Sequence, residues 1–185
     1  MEMIPEFKFA VSERVGSVCP TSVTDPKTGE QKEIVASDFM PGRAREKDTG
    51  YDVRCAEPDG IAISPHCYFK IPLGIRMFAP EGWWVELRPR SGTFLKEHIH
   101  ALYGVIDELY ENELVFAGCF VPDRCKLIAA NSNLVIPFGF RIGQLVPVKR
   151  QAMICTEVSN EELDRLYAER NGARGTGGFG SSGKF

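Results

Sequence analysis

The sequence predicts an all-β protein, and three observations carry that reading. Twelve prolines and eighteen glycines are spread along the 185 residues, which implies many turns between short strands. Between Ile61 and Val85, short apolar and mixed runs are broken by Pro65, Pro72, Pro80 and Gly82. That spacing suits a sandwich or barrel, whereas α/β folds place longer helical stretches between strands. Finally, the stretch 140–146, FRIGQLV, alternates as a strand does. Strict alternation puts Arg141, Gly143 and Leu145 on one face and Ile142, Gln144 and Val146 on the other.

Composition bounds the rest. A hydrophobic content of 43% and a charged content of 25% are those of an ordinary globular protein, and the length suits one domain with a sizeable core. The formal net charge of −3 gives no reason to expect nucleic acid or a membrane as partner. No apolar run is long enough to cross a bilayer, and the opening MEMIPEFKFAVSERV lacks a basic segment followed by an apolar one. An intracellular, cytoplasmic location is therefore expected. The six cysteines, Cys19, Cys55, Cys67, Cys119, Cys125 and Cys155, are then expected to be reduced, buried thiols. No pair of them has C-x-x-C spacing. His98 and His100 would share a face if extended, but no third metal ligand clusters with them.

The chain opens with an alternating strand at Phe7-Lys8-Phe9. The turn DPKTGEQ at 25–31 follows, and a second strand at Ile34-Val35 completes an N-terminal hairpin section reaching about residue 39. Thr49-Gly50-Tyr51-Asp52-Val53 places Asp52 at the start of a strand. Trp83 and Trp84 are expected to give one core ring and one ring facing an interface or cleft. Strands follow at 113–116 and 127–130. Near the C-terminus, Ser159-Asn160-Glu161-Glu162 has capping-box spacing and predicts a short helix to about Glu169, ended by Asn171-Gly172. The glycine-rich remainder has the composition of a flexible tail. Its Gly175-x-Gly177-x-x-Gly180 has no strand before it or helix after it, so the dinucleotide fingerprint is rejected. The Walker-like run from Gly178 to Lys184 is rejected too, because Phe185 stands where Ser or Thr is needed.

Two stretches point to chemistry. Arg88-Pro89-Arg90-Ser91-Gly92 gathers guanidinium, hydroxyl and unhindered backbone into a compact anion site, unless it is only an exposed turn. Tyr103–Glu113, YGVIDELYENE, sets Asp107 after the β-branched pair Val105-Ile106. Gly104 permits a bend or close approach before that pair, and Asn112 suits a left-handed turn after it. A carboxylate held this way either orients and deprotonates a water or closes a strand-end salt bridge.

Taken together, TGYDV at 49–53, RPRSG at 88–92, GVID at 104–107, FRIGQLV at 140–146 and ARGTGGFGSSG at 173–183 resemble the five ordered motifs of the trimeric dUTPase family. The resemblance runs from about Arg43 to the C-terminus. It implies a jelly-roll (β-clip) fold over residues 1–172, a glycine-rich arm at 173–185, and a homotrimer whose sites lie between subunits. It implies Mg²⁺-dependent hydrolysis of dUTP to dUMP and pyrophosphate, which limits uracil incorporation into DNA and supplies dUMP. Asp107 would be the base that activates water. Asp52 would help hold the hydrated Mg²⁺ through water. Arg90, Ser91, Gly92 and Gln144 would meet the phosphates, with Arg141 in a structural ion pair. The 98–110 hairpin, including Ala101, Leu102, Gly104, Val105 and Ile106, would read uracil, and Tyr110 would pack on the deoxyribose. From the arm, Phe179, with Gly178, Gly180 and Ser181 around it, would stack on the base while Arg174 meets the terminal phosphates.

Two departures are visible. Ala101, beside His100, replaces a frequent Asn, and Glu111-Asn112 replaces the usual Arg-Gly. The first leaves open a related or modified pyrimidine triphosphate as substrate. The dCTP deaminase family shares the fold but carries a catalytic Glu ten residues after a comparable Asp, where this chain has Ala117. A non-catalytic regulatory or binding role on the same scaffold is the alternative of another class.

Overall fold

The computed structural model describes residues 4–25, 28–122 and 133–170. The chain forms two compact units, Met1–Arg150 and Gln151–Phe185.

The first unit is an all-β jelly roll in which every strand pairing is antiparallel. Its strands are β1 (Lys8–Val11), β2 (Thr21–Thr24), β3 (Gln31–Ile34), β4 (Tyr51–Arg54), β5 (Ile61–Ile63), β6 (Tyr68–Pro72) and β7 (Ile75–Phe78), then β8 (Trp83–Pro89), β9 (Ile99–Ala101), β10 (Gly104–Ile106), β11 (Val115–Phe120), β12 (Leu134–Ile136) and β13 (Arg141–Lys149). The largest sheet has the order β10-β8-β13-β4, a second has the order β6-β11-β9, and three two-stranded sheets join β1 to β7, β5 to β12 and β2 to β3. Strand periodicity builds the core. Phe69 and Ile71 of β6, Ile75 and Met77 of β7, Val85 and Leu87 of β8 and Phe116 of β11 are inward and buried, while alternate residues such as Lys70, Arg76 and Val115 face out. Turns sit where proline and glycine announced them: Trp83 N–H donates to the Pro80 carbonyl, and Gly82 takes a φ of +77°.

Two local signals are realised. The 25–31 turn places Gly29 at a φ of +73° and joins β2 to β3 as a hairpin. In the second unit, α3 runs over Asn160–Glu169, with the Ser159 hydroxyl accepting from the Glu162 N–H at 3.2 Å. Asn171-Gly172 lies outside the described residues.

Long-range arrangement differs from expectation at several points. The hairpin of the opening section is β2–β3, whereas β1 pairs with β7. The expected 98–110 hairpin is not a paired hairpin: β9 pairs with β11, and β10 pairs with β8. The strand expected at 113–116 begins at Val115, and the one expected at 127–130 lies outside the described residues. Asn112 is not left-handed. Among the described residues the non-glycine residues with positive φ are His66 and His98, and at a φ of +53° His98 does not continue β9, so it does not share an extended run with His100. Neither Trp83 nor Trp84 is in the core; both are half-buried, and Trp83 meets Phe7 edge-on with ring centroids 6.3 Å apart. Three single turns of helix join α3: α1 (Glu13–Gly16), a 3-10 turn (Ala36–Phe39) and α2 (Ser91–Leu95). Among the described cysteines only Cys55 is buried. Cys19 and Cys119 are half-buried, Cys67 and Cys155 are exposed, and all five are free. Cys125 lies outside the described residues.

The opening section belongs to the core. Val15 of α1 and Phe39 of the 3-10 turn are 0% exposed. They close on Gly74, whose φ of +68° and missing Cβ leave room for Val15, Ala56 and Phe39.

Candidate active site

The β4, β8 and β13 strands lie side by side, and their ends assemble a cleft of about 300 Å³ lined by Asp48, Gly50, Asp52, Arg90, Ser91 and Gln144, among others. Asp52 pairs with Gln144 across the β4–β13 ladder. Its carboxylate, 15% exposed, accepts from Arg90 Nε at 2.9 Å and lies 3.5 Å from Arg141 Nη1. Arg90 is the residue at which β8 gives way to α2, so Ser91 and Gly92 open a helical turn whose leading N–H groups have no intrahelical partner. A Cβ on Gly92 would meet nothing within 4 Å. The Thr93 hydroxyl, buried, donates to the Ile142 carbonyl at 2.7 Å and fixes that turn against β13. Gln144 donates through Nε2 to the Pro89 carbonyl at 3.1 Å. Its amide oxygen sits where a Cβ on Gly50 would be, so any larger residue at that point displaces the Gln144 amide.

A bulge shapes this side of β13. The register shifts between Arg141 and Gly143, which buries Ile142, Gly143 and Leu145 and leaves Arg141 and Gln144 half-buried. Strict alternation set those two on opposite faces. The extra residue rotates Arg141 by one position, so that both lie beside Asp52.

Arg54, next but one to Asp52 on β4, is buried. It donates through Nε to the Asp38 carbonyl at 2.7 Å and through Nη1 to the Gly139 carbonyl at 2.8 Å, with Nη2 3.4 Å from the Asp38 carboxylate. Burial, and then the nearby Arg141, lower its pKa from the usual guanidinium value. This arginine couples the opening section to the strands that carry the cleft, and neither its burial nor its partners were visible in the sequence.

Asp107 is elsewhere. It is the exposed residue that follows β10, in a separate cleft of about 340 Å³ beside Trp83, Trp84 and Glu108. Among the described residues no hydrogen bond or ion pair engages its carboxylate, so the salt-bridge reading does not hold. Ile106 pairs with Val85 near the start of β8, whereas Ser91 lies just past its end. At ~3.3 Å per residue along a strand, Asp107 and Ser91 of one chain stand on the order of 20 Å apart.

Of the remaining expected residues, Val105 lines the Asp107 cleft, Ala101 and Leu102 line another beside Tyr68, and Tyr110 lines a third beside Arg76. β9 and β10 are both edge strands, and they flank Leu102-Tyr103. Leu102 N–H is taken by the Ala117 carbonyl at 2.9 Å, while among the described residues no strand pairs with the outer edge of β10. Gly104 pairs with Leu87, and a Cβ there would meet ordinary contacts at 3.5 Å, so no close approach within the chain requires glycine. Tyr110 is partly exposed and donates to the Glu113 carbonyl at 3.4 Å. Arg174, Gly178, Phe179, Gly180 and Ser181 lie outside the described residues.

The sequence model of the dUTPase family matches residues 37–183. The chain belongs to the dUTPase family. The dUTPase relatives include the deoxyuridine 5'-triphosphate nucleotidohydrolase of Chlamydia muridarum, 33% identical over 150 residues that cover 78% of this chain and 91% of that protein. The protein of the same name from Bartonella bacilliformis is 32% identical over 158 residues, covering 78% and 82%. Among solved dUTPase structures, the Staphylococcus bacteriophage 80alpha dUTPase with dUPNHPP superposes with a TM-score of 0.59 at 28% identity, over 78% of this chain and 91% of that one. The dUTPase from phage phi11 of S. aureus, at 20% identity and a TM-score of 0.58 over 84% and 97%, supports the fold.

Proposed function

We propose that this dUTP diphosphatase hydrolyses dUTP to dUMP and pyrophosphate, in a Mg²⁺-dependent reaction, within a homotrimer whose sites are shared between chains. The observation that carries the reading is the placement of an anion cleft at one end of β8 and, at the other, the Asp107 carboxylate, which has no partner among the described residues. In one chain they are too far apart to act on one phosphorus. A second chain that presents its Asp107 to the cleft of the first removes the difficulty.

In that site Arg90, Ser91 and Gln144 bind the phosphate chain. Asp107 orients a water and takes its proton as the water oxygen bonds to the α-phosphorus. The bond from that phosphorus to the bridging oxygen breaks, and pyrophosphate leaves with the electron pair. Fixed donors around the cleft offset the charge that develops.

The cleft suits a hydrated Mg²⁺ carried by substrate phosphates. Among the described residues no group of three or more His, Cys, Asp or Glu could cage a metal, but Asp48 and Asp52 line the cleft, and one or two carboxylates plus phosphates is the usual Mg²⁺ arrangement. Asp52 would hold the ion through water, since its two arginine contacts leave lone pairs unused. When bound, Mg²⁺ neutralises phosphate charge.

Uracil is read by the free edge of β10 and the neighbouring backbone at Ala101 and Leu102, and Tyr110 packs against the deoxyribose. Residues 173–185 serve as the arm that closes the site, through Phe179 and Arg174. Such an enzyme keeps uracil out of DNA, supplies dUMP and works inside the cell. The test is pyrophosphate release with Mg²⁺ from dUTP, dCTP, dTTP and UTP. Backbone groups that match uracil leave polar atoms unpaired against cytosine, so dCTP should be a poor substrate; a Tyr110 ring flat against C2′ leaves no room for a 2′-hydroxyl, so UTP should be poor for that separate reason. Equal rates on dCTP and dUTP would shift the assignment to a related pyrimidine triphosphate.

A further inference from the structure

We propose that Glu108, clamped by Gly82 and Arg150, is a positioning residue for the Asp107 carboxylate. The inference rests on the assignment of Asp107 as the base.

Three contacts form a closed ring. Glu108 Oε2 accepts from the Gly82 N–H at 3.0 Å and lies 3.0 Å from Arg150 Nη1, while the Arg150 N–H donates to the Gly82 carbonyl at 2.8 Å. Each member comes from a different element: Gly82 from the turn before β8, Arg150 from the end of β13, and Glu108 from the turn after β10. Those strands are consecutive neighbours in the largest sheet. The ring therefore pins three strand ends together at the place where Asp107 leaves the sheet.

Asp107 needs such support. Its own side chain is exposed and, among the described residues, unengaged, and the turn is closed from within by the backbone bond from Tyr110 N–H to the Asp107 carbonyl at 3.1 Å. A base that must hold one water against one phosphorus loses rate steeply when it is misplaced by an ångström. An ordinary exposed ion pair would contribute little. Glu108 differs because its side chain is 19% exposed and it also takes a backbone N–H, which would otherwise lose its protein partner.

The experiment compares the parent chain, Glu108→Ala, Glu108→Gln and Arg150→Met. Pyrophosphate release from dUTP gives kcat and KM, and amide hydrogen exchange at Gly82 and Tyr110 is followed without nucleotide. Glu108→Ala should lower kcat roughly tenfold or more while KM stays within about twofold. Glu108→Gln, whose amide oxygen still accepts, should recover most of that loss, and Arg150→Met should fall between. Exchange at both amides should quicken in Glu108→Ala. Unchanged exchange would show that the clamp does not hold the turn, and faster exchange with unchanged kcat would show that the held turn does not matter to the base. If the parent chain itself releases no pyrophosphate from dUTP, the reaction assignment fails, and the exchange measurement still decides whether Glu108 holds the turn.

Discussion

Arg90 and Asp52 meet through a 2.9 Å contact that spans a whole strand. Arg90 follows β8 and Asp52 belongs to β4, and β13 lies between them. Between them on β13, Gly143 pairs with Pro89 on one side and Val53 on the other, and a Cβ there would press on the buried Phe116 ring at 3.0 Å. The guanidinium is thus held over the cleft by a carboxylate that is itself fixed in a sheet.

Asp52→Asn should release that hold. The contact is charge-assisted, and losing it should raise KM for dUTP by roughly tenfold or more. Arg90→Lys should not restore it, because an ammonium lacks the planar fork. Steady-state kinetics on both variants, beside the melting temperature, separate this from unfolding. An unchanged KM would reduce the pair to a structural detail.

Asp107→Asn keeps the shape and removes the base. Turnover should fall by about 10² or more while nucleotide binding survives. Single-turnover hydrolysis and equilibrium binding measure the two separately, and near-normal turnover would remove Asp107 from the mechanism.

Chains carrying Asp107→Asn and chains carrying Arg90→Ala should each be inactive alone. Refolded together, they should regain part of the activity, because mixed assemblies contain some sites with both residues intact. Mixtures no more active than the separate variants would place the whole site within one chain.

Gly50→Ala puts a methyl group where the Gln144 amide now lies. The fold should tolerate it, since the amide end is free to swing, but Gln144 should be driven from the cleft. Activity should therefore drop to the level of Gln144→Ala, while Gln144→Ala and the double variant should be alike. Full activity in Gly50→Ala would show that the position of Gln144 is unimportant.

Burial pushes the Cys55 thiol up from 9.0 to about 11. The folded state then retains a proton that the unfolded state releases above pH 9. The associated stability is complete below pH 9 and is lost as pH rises to about 11. Cys55→Ala should flatten that part of the stability-against-pH curve in denaturant titrations, and an identical curve would assign the alkaline loss to other groups.

What could be seen in the sequence was local. Ser159 with Glu162, and Gly29 in its turn, act within a few residues, so their chemistry is written in adjacent letters. The all-β class also showed through, because proline and glycine fix where strands stop. Pairing partners did not, since β1 finds β7 across more than sixty intervening positions by shared burial rather than by any local cue. The β13 bulge hid for a related reason: FRIGQLV alternates well enough as letters, and the extra residue is set by what β4 and β8 present on either side. α2 gave no capping signal, as Arg90 makes no side-chain cap. The motif residues of the cleft were recognisable through resemblance, whereas Arg54, Thr93 and Glu108 act through contacts made by distant strands.

The shared family region begins at residue 37, yet Val15 and Ile34 precede it and are 0% and 2% exposed. Val15 covers Gly74, and Ile34 sits over Gly139, where a Cβ would come within 3.1 Å of it. Loss of one large buried side chain costs ~2–5 kcal/mol, against a total of roughly 5–15 kcal/mol for a domain. Trimming this protein back to what it has in common with its kin would therefore open it at two places at once. The same fit governs inheritance and grafting: a relative that received this opening segment would have to receive both glycines with it.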